Sequence, residues 1–193
     1  TPPRGFAAHP RDIQGQKIVA QDKIGNSLII AGDTDWTLGD ASNYVNFENR
    51  KKIGASTWSL TGSTTEKTGW TIEGGALSIA QASSLGDTGS VLTLNGGSLQ
   101  TAGSFDMSRN IVVGASNGTI DVQSNANILK GIVSGDGQLT KSGSGVLKVT
   151  GDLNQAGGTA LNAGTLQIGN GGIDGAIKGN VAIANGATLE FNH

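Results

Sequence analysis

From about Ile13 onward the chain alternates apolar and polar residues in short runs. Examples are Trp36-Thr-Leu38, Trp58-Ser-Leu60, Trp70-Thr-Ile72, Leu77-Ser-Ile79, Leu92-Thr-Leu94, Ile120-Asp-Val122, Leu147-Lys-Val149, Leu166-Gln-Ile168 and Leu189-Glu-Phe191. A period of two sends alternate side chains to opposite faces of a strand, so each run predicts a short strand with one buried face. Gly, Asn, Asp and Ser separate the runs, and these residues build tight turns. No stretch keeps helical spacing; the best, Leu77 to Leu85, is interrupted by serines and stopped by Gly86. The three prolines lie at positions 2, 3 and 10, so residues 1–12 read as an irregular lead-in and 13–193 as the folded body.

The runs repeat. A glycine, one or two small residues and an apolar-x-apolar pair recur at Gly75-Ala-Leu77, Gly118-Thr-Ile120, Gly145-Val-Leu147, Gly164-Thr-Leu166 and Gly186-Ala-Thr-Leu189, with weaker copies at Leu99 and Leu139. The mean step is about 22 residues, a period that means a solenoid. The Leu-x-x-Leu-x-Leu frame of leucine-rich repeats is missing, and so is the strict sixfold signature of a left-handed β-helix. A right-handed parallel β-helix with three short strands per coil fits the step, because its corner loops absorb unequal lengths. Residues 13–193 then form roughly eight coils, with strands about 4.8 Å apart along the rod. The expected core ladder is Leu77, Leu99, Ile120, Leu147, Leu166, Ile168 and Leu189, with Gln167 outside. No polar capping coil closes the sequence at Asn192-His193, which reads as a piece of a longer rod.

Composition supports this picture. Of 193 residues 32 are glycine, about 17% against a usual 7%, which disfavours helices. Charged residues make up 15% with a net charge of −2, so there is no basic surplus for nucleic acid. Cysteine is absent, which removes disulfides and thiolate metal sites, and no apolar run is long enough for a spanning helix.

Gly135-Asp-Gly-Gln-Leu-Thr-Lys-Ser-Gly-Ser-Gly-Val-Leu-Lys-Val-Thr-Gly151, followed by Ala163-Gly-Thr-Leu-Gln-Ile-Gly169, Gly179-Asn-Val-Ala-Ile183 and Gly186-Ala-Thr-Leu-Glu-Phe-Asn192, resembles the passenger-associated repeat of bacterial autotransporters. Ser84-Leu-Gly and Leu92-Thr-Leu-Asn-Gly-Gly-Ser-Leu99 resemble its earlier coils. Residues 69–193 then read as regular passenger-type repeats and 13–68 as divergent, aromatic-rich coils. The resemblance implies a β-helical passenger segment, displayed on the outer membrane or secreted, whose partners are flanking coils and its own C-terminal outer-membrane barrel. It also implies a stalk, with a folding-template role open to such coils.

Catalytic patterns are sparse. The two histidines, His9 and His193, lie at opposite ends of the sequence. Gly114-Ala-Ser116-Asn-Gly118 fits the nucleophile-elbow pattern without its strand-to-helix setting. Gly171-Gly-Ile-Asp174 is an incomplete calcium nonapeptide, and phosphate-loop patterns are absent. No cofactor and no metal are expected. The charge-dense stretch holds Asp33, Asp35, Asp40 and Arg50-Lys51-Lys52, and most aromatics precede residue 71. A solvated loop explains the charges. The functional alternative is a surface of Asp33, Asp35, Trp36, Tyr44, Arg50 and Lys51 that binds host glycan or protein, because Trp and Tyr stack on sugar rings and anchor interfaces. A β-helical carbohydrate-active enzyme, with carboxylates converging in a groove, is the third reading.

Overall fold

The computed structural model describes residues 25–193 in full and, before them, the backbone of Gly5–Ala8 and Ile18–Val19. Strands wind through three parallel sheets in about 8 turns of about 21 residues, a parallel β-helix. Among the described residues the only helical pieces are the 3-10 turns Ala41–Asn43 and Ala82–Leu85. The second of these lies within Leu77 to Leu85, where serines interrupt the helical spacing, and Gly86, at φ +103°, ends it.

The first sheet contains Ser27–Ile30, Asn49–Lys52, Trp70–Ile72, Leu92–Leu94, Ile111–Val113 and Val133–Gly135, and continues to Ala176–Ile177. Gly5–Ala8 also pairs in it, against Ser27–Ile30, so part of the expected lead-in is a strand. The rest of 1–12 lies outside the described residues. The second sheet runs from Trp36–Asp40 through Thr57–Thr61, Ala76–Ile79, Ser98–Thr101, Gly118–Asp121 and Leu139–Ser142 to Val181–Ile183. The third, Asp106–Met107, Ala126–Leu129, Val146–Val149, Thr165–Ile168 and Thr188–Phe191, begins only at Asp106.

Before Asp106 the third side holds the two-stranded pair Ile18–Val19 and Tyr44–Val45 and, after that pair, turns stacked on turns. Ser84 Oγ donates to Gly62 O at 2.6 Å, Thr64 N to Ser83 O at 3.0 Å and Asp87 N to Glu66 O at 2.8 Å. The backbone groups of an irregular segment still find partners one coil away, as buried polar groups must.

The core is a set of inward columns. In the second sheet Trp36, Trp58, Leu77, Leu99 and Ile120 lie in register, and the column goes on to Lys141 and Leu161. In the third, Leu147 opposes Leu166 and Leu166 opposes Leu189, while Val149, Ile168 and Phe191 form the adjoining column. The ladder expected from the sequence is therefore two ladders in different sheets. The glycine-apolar-x-apolar run has the same form in both, so spacing alone joined them. Leu77, Leu99, Ile120, Leu147, Leu166 and Ile168 are fully buried. Leu189 is half-buried, because Thr188–Phe191 is an outer strand with a neighbour on one side only.

Gln167 departs from expectation. It lies on the outer face between Lys148 and Glu190, as alternation requires, yet it is 8% exposed. Its Nε2 donates to Gly169 O at 2.9 Å, and Lys148 Nζ donates to Asn170 Oδ1 at 2.8 Å, so the turn after the strand closes over this patch.

Candidate functional site

The charged and aromatic residues of 33–52 divide between three environments. Asp33 and Asp35 are exposed in the corner that enters the second sheet. Asp35 Oδ1 accepts from Thr57 N at 2.6 Å, which fixes this corner to the next coil. Trp36 is partly exposed, and with Asp35, Thr37, Thr57 and Ser59 it lines a cleft of about 450 Å³. Trp36–Asp40 is the outer strand of the second sheet among the described residues, and the cleft opens beside it.

Trp58, one coil on, is fully buried. Its Nε1 donates to Ser56 Oγ at 3.0 Å, and Ser56 Oγ donates to Gly32 O at 2.6 Å. Trp70 is 2% exposed, beneath the Arg50 guanidinium at 5.5 Å.

Tyr44 and Arg50 do not belong to the expected surface. Tyr44 is buried, its hydroxyl donates to Leu38 O at 2.6 Å, and burial raises the pKa of its phenol. Arg50 points inward from the first sheet, donates to Thr68 O and stacks on Trp70. Lys51 points out of that same sheet and pairs with Glu73 at 2.6 Å. Arg50-Lys51-Lys52 is thus a strand obeying its own alternation, in-out-in, and not a solvated loop. Lys51 lies in a different sheet from Trp36, and the two do not share a cleft.

Of the aspartates expected to converge for chemistry, Asp35 and Asp40 have structural tasks. Asp40 Oδ1 accepts from Ser42 N at 2.9 Å and caps the Ala41–Asn43 turn; those bonds hold its carboxyl below the usual range. Among the described residues no group of acids and histidines has the geometry to hold a metal. Ser116 lies exposed in a corner turn, its N–H donating to Asn95 Oδ1 at 3.1 Å, with Asn117 at φ +66°, so its setting is not a nucleophile elbow. His193 stacks on Phe191, and His9 lies outside the described residues.

Four cations inside the coil escaped the sequence reading. Lys52 and Lys141 are 0% exposed, and Arg50 and Arg109 are 3% and 2% exposed. Burying a charge is expensive unless it is fully hydrogen-bonded. Here the acceptors are backbone carbonyls at the corners and the Ser90 hydroxyl, while Nε of Arg50 and of Arg109 is left without a partner. Arg109 reaches Ser90 O and Oγ, Ala82 O and Gly86 O. Desolvation lowers the pKa of each of the four, with Arg50 down to about 10 and Lys141 to about 8. The signal was available: applied to charged residues, the two-residue period puts Lys52 on the side of Arg50, and Lys141 occupies the second apolar place of Leu139-Thr-Lys141.

Comparison with known proteins agrees with this architecture. Residues 51–79 and 139–168 match the passenger-associated-transport-repeat family. The chain is 40% identical over 139 residues to the adhesin BmaC autotransporter of Brucella suis biovar 1 (strain 1330), an alignment covering 72% of this chain and 4% of that protein. No solved structure matches. Passengers of this class are displayed at the outer-membrane surface or secreted. The chain is a β-helical stretch of an autotransporter passenger, carrying two of its passenger-associated transport repeats.

Proposed function

We propose that this segment is a noncatalytic stalk and folding region of its passenger, joined through flanking coils to a C-terminal barrel of the same protein. The observation that carries this reading is the continuity of the columns. Inward residues stack coil on coil from Leu28 to Phe191, so each coil is stabilised by its neighbours and length can grow without new contacts. The outward rows of the second sheet support it: Thr57, Ala76, Ser98, Thr119, Thr140 and Ala160 form a row of small side chains suited to a spacer. The test is display of the full passenger with residues 98–138, two coils, removed. A stalk keeps a protease-resistant passenger on the cell surface; loss of any enzymatic turnover on that deletion would reject a noncatalytic role.

A second reading is favoured by the cleft beside Trp36 and by the relative's description as an adhesin: this part of the chain binds host glycan or protein. Trp36→Ala and Asp35→Ala in the full passenger then reduce attachment to host cells or a glycan array, while the melting behaviour of the later coils is unchanged. Attachment equal to the parent's removes this reading and leaves the stalk.

A further inference from the structure

The two matched repeats share a frame that goes beyond their apolar positions. Lys52-Ile-Gly54-Ala-Ser56-Thr-Trp58-Ser-Leu60-Thr-Gly62 lies over Lys141-Ser-Gly143-Ser-Gly145-Val-Leu147-Lys-Val149-Thr-Gly151. The lysine of each frame is buried in an inward column of aliphatic neighbours: Ile30 and Ile72 for Lys52, Ile120 and Leu161 for Lys141.

Each ammonium sits among three carbonyl oxygens. Lys52 Nζ donates to Ile53 O at 2.8 Å, and to Gly54 O and Gly74 O at 3.1 Å each. Lys141 Nζ donates to Gly143 O at 2.6 Å, and to Gly145 O and Ala163 O at 2.7 Å each. Gly54 and Gly143 hold the same place in the frame, and so do Gly74 and Ala163, which belong to the next coil. One positive charge therefore ties two successive corners together. The next residue is glycine in both, Gly75 at φ +57° and Gly164 at φ +66°. A Cβ there would stand 2.2 Å from Ser56 O in the first and 2.4 Å from Gly145 O in the second. Both copies have the same backbone conformation and the same close approach. They nevertheless occupy different corners, since Lys52 comes from the first sheet and Lys141 from the second.

The corner between the second and third sheets also occurs without a lysine, two coils before Lys141. There Asn125 Nδ2 donates to Thr101 O at 2.8 Å, and Asn127 Nδ2 donates to Gly103 O at 2.9 Å and Phe105 O at 3.3 Å. In register Leu99 occupies the place of Lys141. The inward carbonyls of this corner are met in both coils, by an ammonium in one and by carboxamides in the other.

We propose that Lys52 and Lys141 are corner clasps, the residues that fasten each passenger repeat to the coil after it, and that the clasp is a portable unit of lysine plus glycine, not tied to one side of the helix. The apolar alternation makes a strand; the clasp sets where the chain turns.

The experiment compares Lys141→Met and Lys52→Met with the parent, by thermal melting and amide hydrogen exchange. Methionine fills the column among Ile120 and Leu161 but donates nothing. If lysine served only as filler, the midpoint would hold or rise, since apolar replacements of buried charges are often neutral or stabilising. A clasp predicts a midpoint lower by about 5–10 °C, from carbonyls left unpaired. It also predicts exchange at least tenfold faster at Gly145 and Thr165, whose N–H groups bond across these coils. An unchanged or raised midpoint overturns the proposal. A second pair of variants needs no loss of Lys141. Asn125→Gly with Asn127→Leu strips Thr101 O and Gly103 O of their carboxamide donors, sets glycine at the place of Gly164 and lowers the midpoint, and adding Leu99→Lys recovers at least half of that loss. No recovery overturns the portability of the clasp.

Discussion

Arg109 Nη1 lies 2.6 Å from Ser90 Oγ and 3.1 Å from Ser90 O, while Nη2 bonds Ala82 O and Gly86 O at 3.1 and 2.9 Å. One guanidinium thus holds both ends of the turn 82–90, the part of the third side that has no sheet to hold it. Fixed hydrogen-bond geometry of this kind suits arginine and not lysine.

Arg109→Met removes four bonds and leaves Ala82 O, Gly86 O and Ser90 O without this donor. The expected loss is about 1–3 kcal/mol, the cost of buried carbonyls left without a donor. Arg109→Lys restores only part of it. Limited proteolysis checks the location: new cleavage falls within 82–90, while the strands on either side, Ala76–Ile79 and Leu92–Leu94, stay protected.

Leu166 and Gln167 give a second test. Leu166→Ala opens a cavity between Leu147 and Leu189 and costs about 2–5 kcal/mol. Gln167→Ala loses one hydrogen bond to Gly169 O and costs about 1 kcal/mol, more than an exposed site shows. Urea melts of the two variants measure both, and a larger shift for Gln167 would contradict the inward placement of Leu166.

Stability near Lys141 depends on pH in a stated direction. Burial pushes its pKa from the ordinary 10.5 down to about 8, with Asp121 acting weakly the other way. Between these values the unfolded chain binds the extra proton, so stability rises with pH: the cost of burying the ammonium weighs fully against the clasp below about 8 and is relieved as pH climbs to 10.5. The difference in stability between the parent and Lys141→Met therefore widens as pH rises from 8 to 10.5. Paired denaturant melts at three pH values in this window read it directly, and a flat difference contradicts the burial of the ammonium.

The strands and the solenoid were legible in the sequence because both rest on local alternation and on glycine at corners, which any reader of Leu147-Lys-Val149 or Gly164-Thr-Leu166 can see. Which column each strand joins was not. Leu147, Ile168 and Leu189 fall at even steps along the chain, but Leu147 stacks on Leu166, and Ile168 stacks on Val149 and Phe191, because successive coils differ in length. The candidate surface was legible only in part. Asp33, Asp35 and Trp36 face solvent wholly or partly, whereas Tyr44 and Arg50 are drawn inward by carbonyl acceptors at Leu38 and Thr68. Main-chain acceptors have no letter in a sequence, so the buried cations that answer them looked like surface charge.

The two transport repeats start on different sides of the rod, one in the first sheet and one in the second, and end one sheet further round. The repeat is thus out of step with the winding of the coil. Inserting a copy would lengthen the shaft and also swing everything beyond it round the axis, as a spiral stair delivers a landing to a new compass bearing with each added flight. Lineages that gain or lose copies could in this way re-aim a distal surface without altering one residue of it.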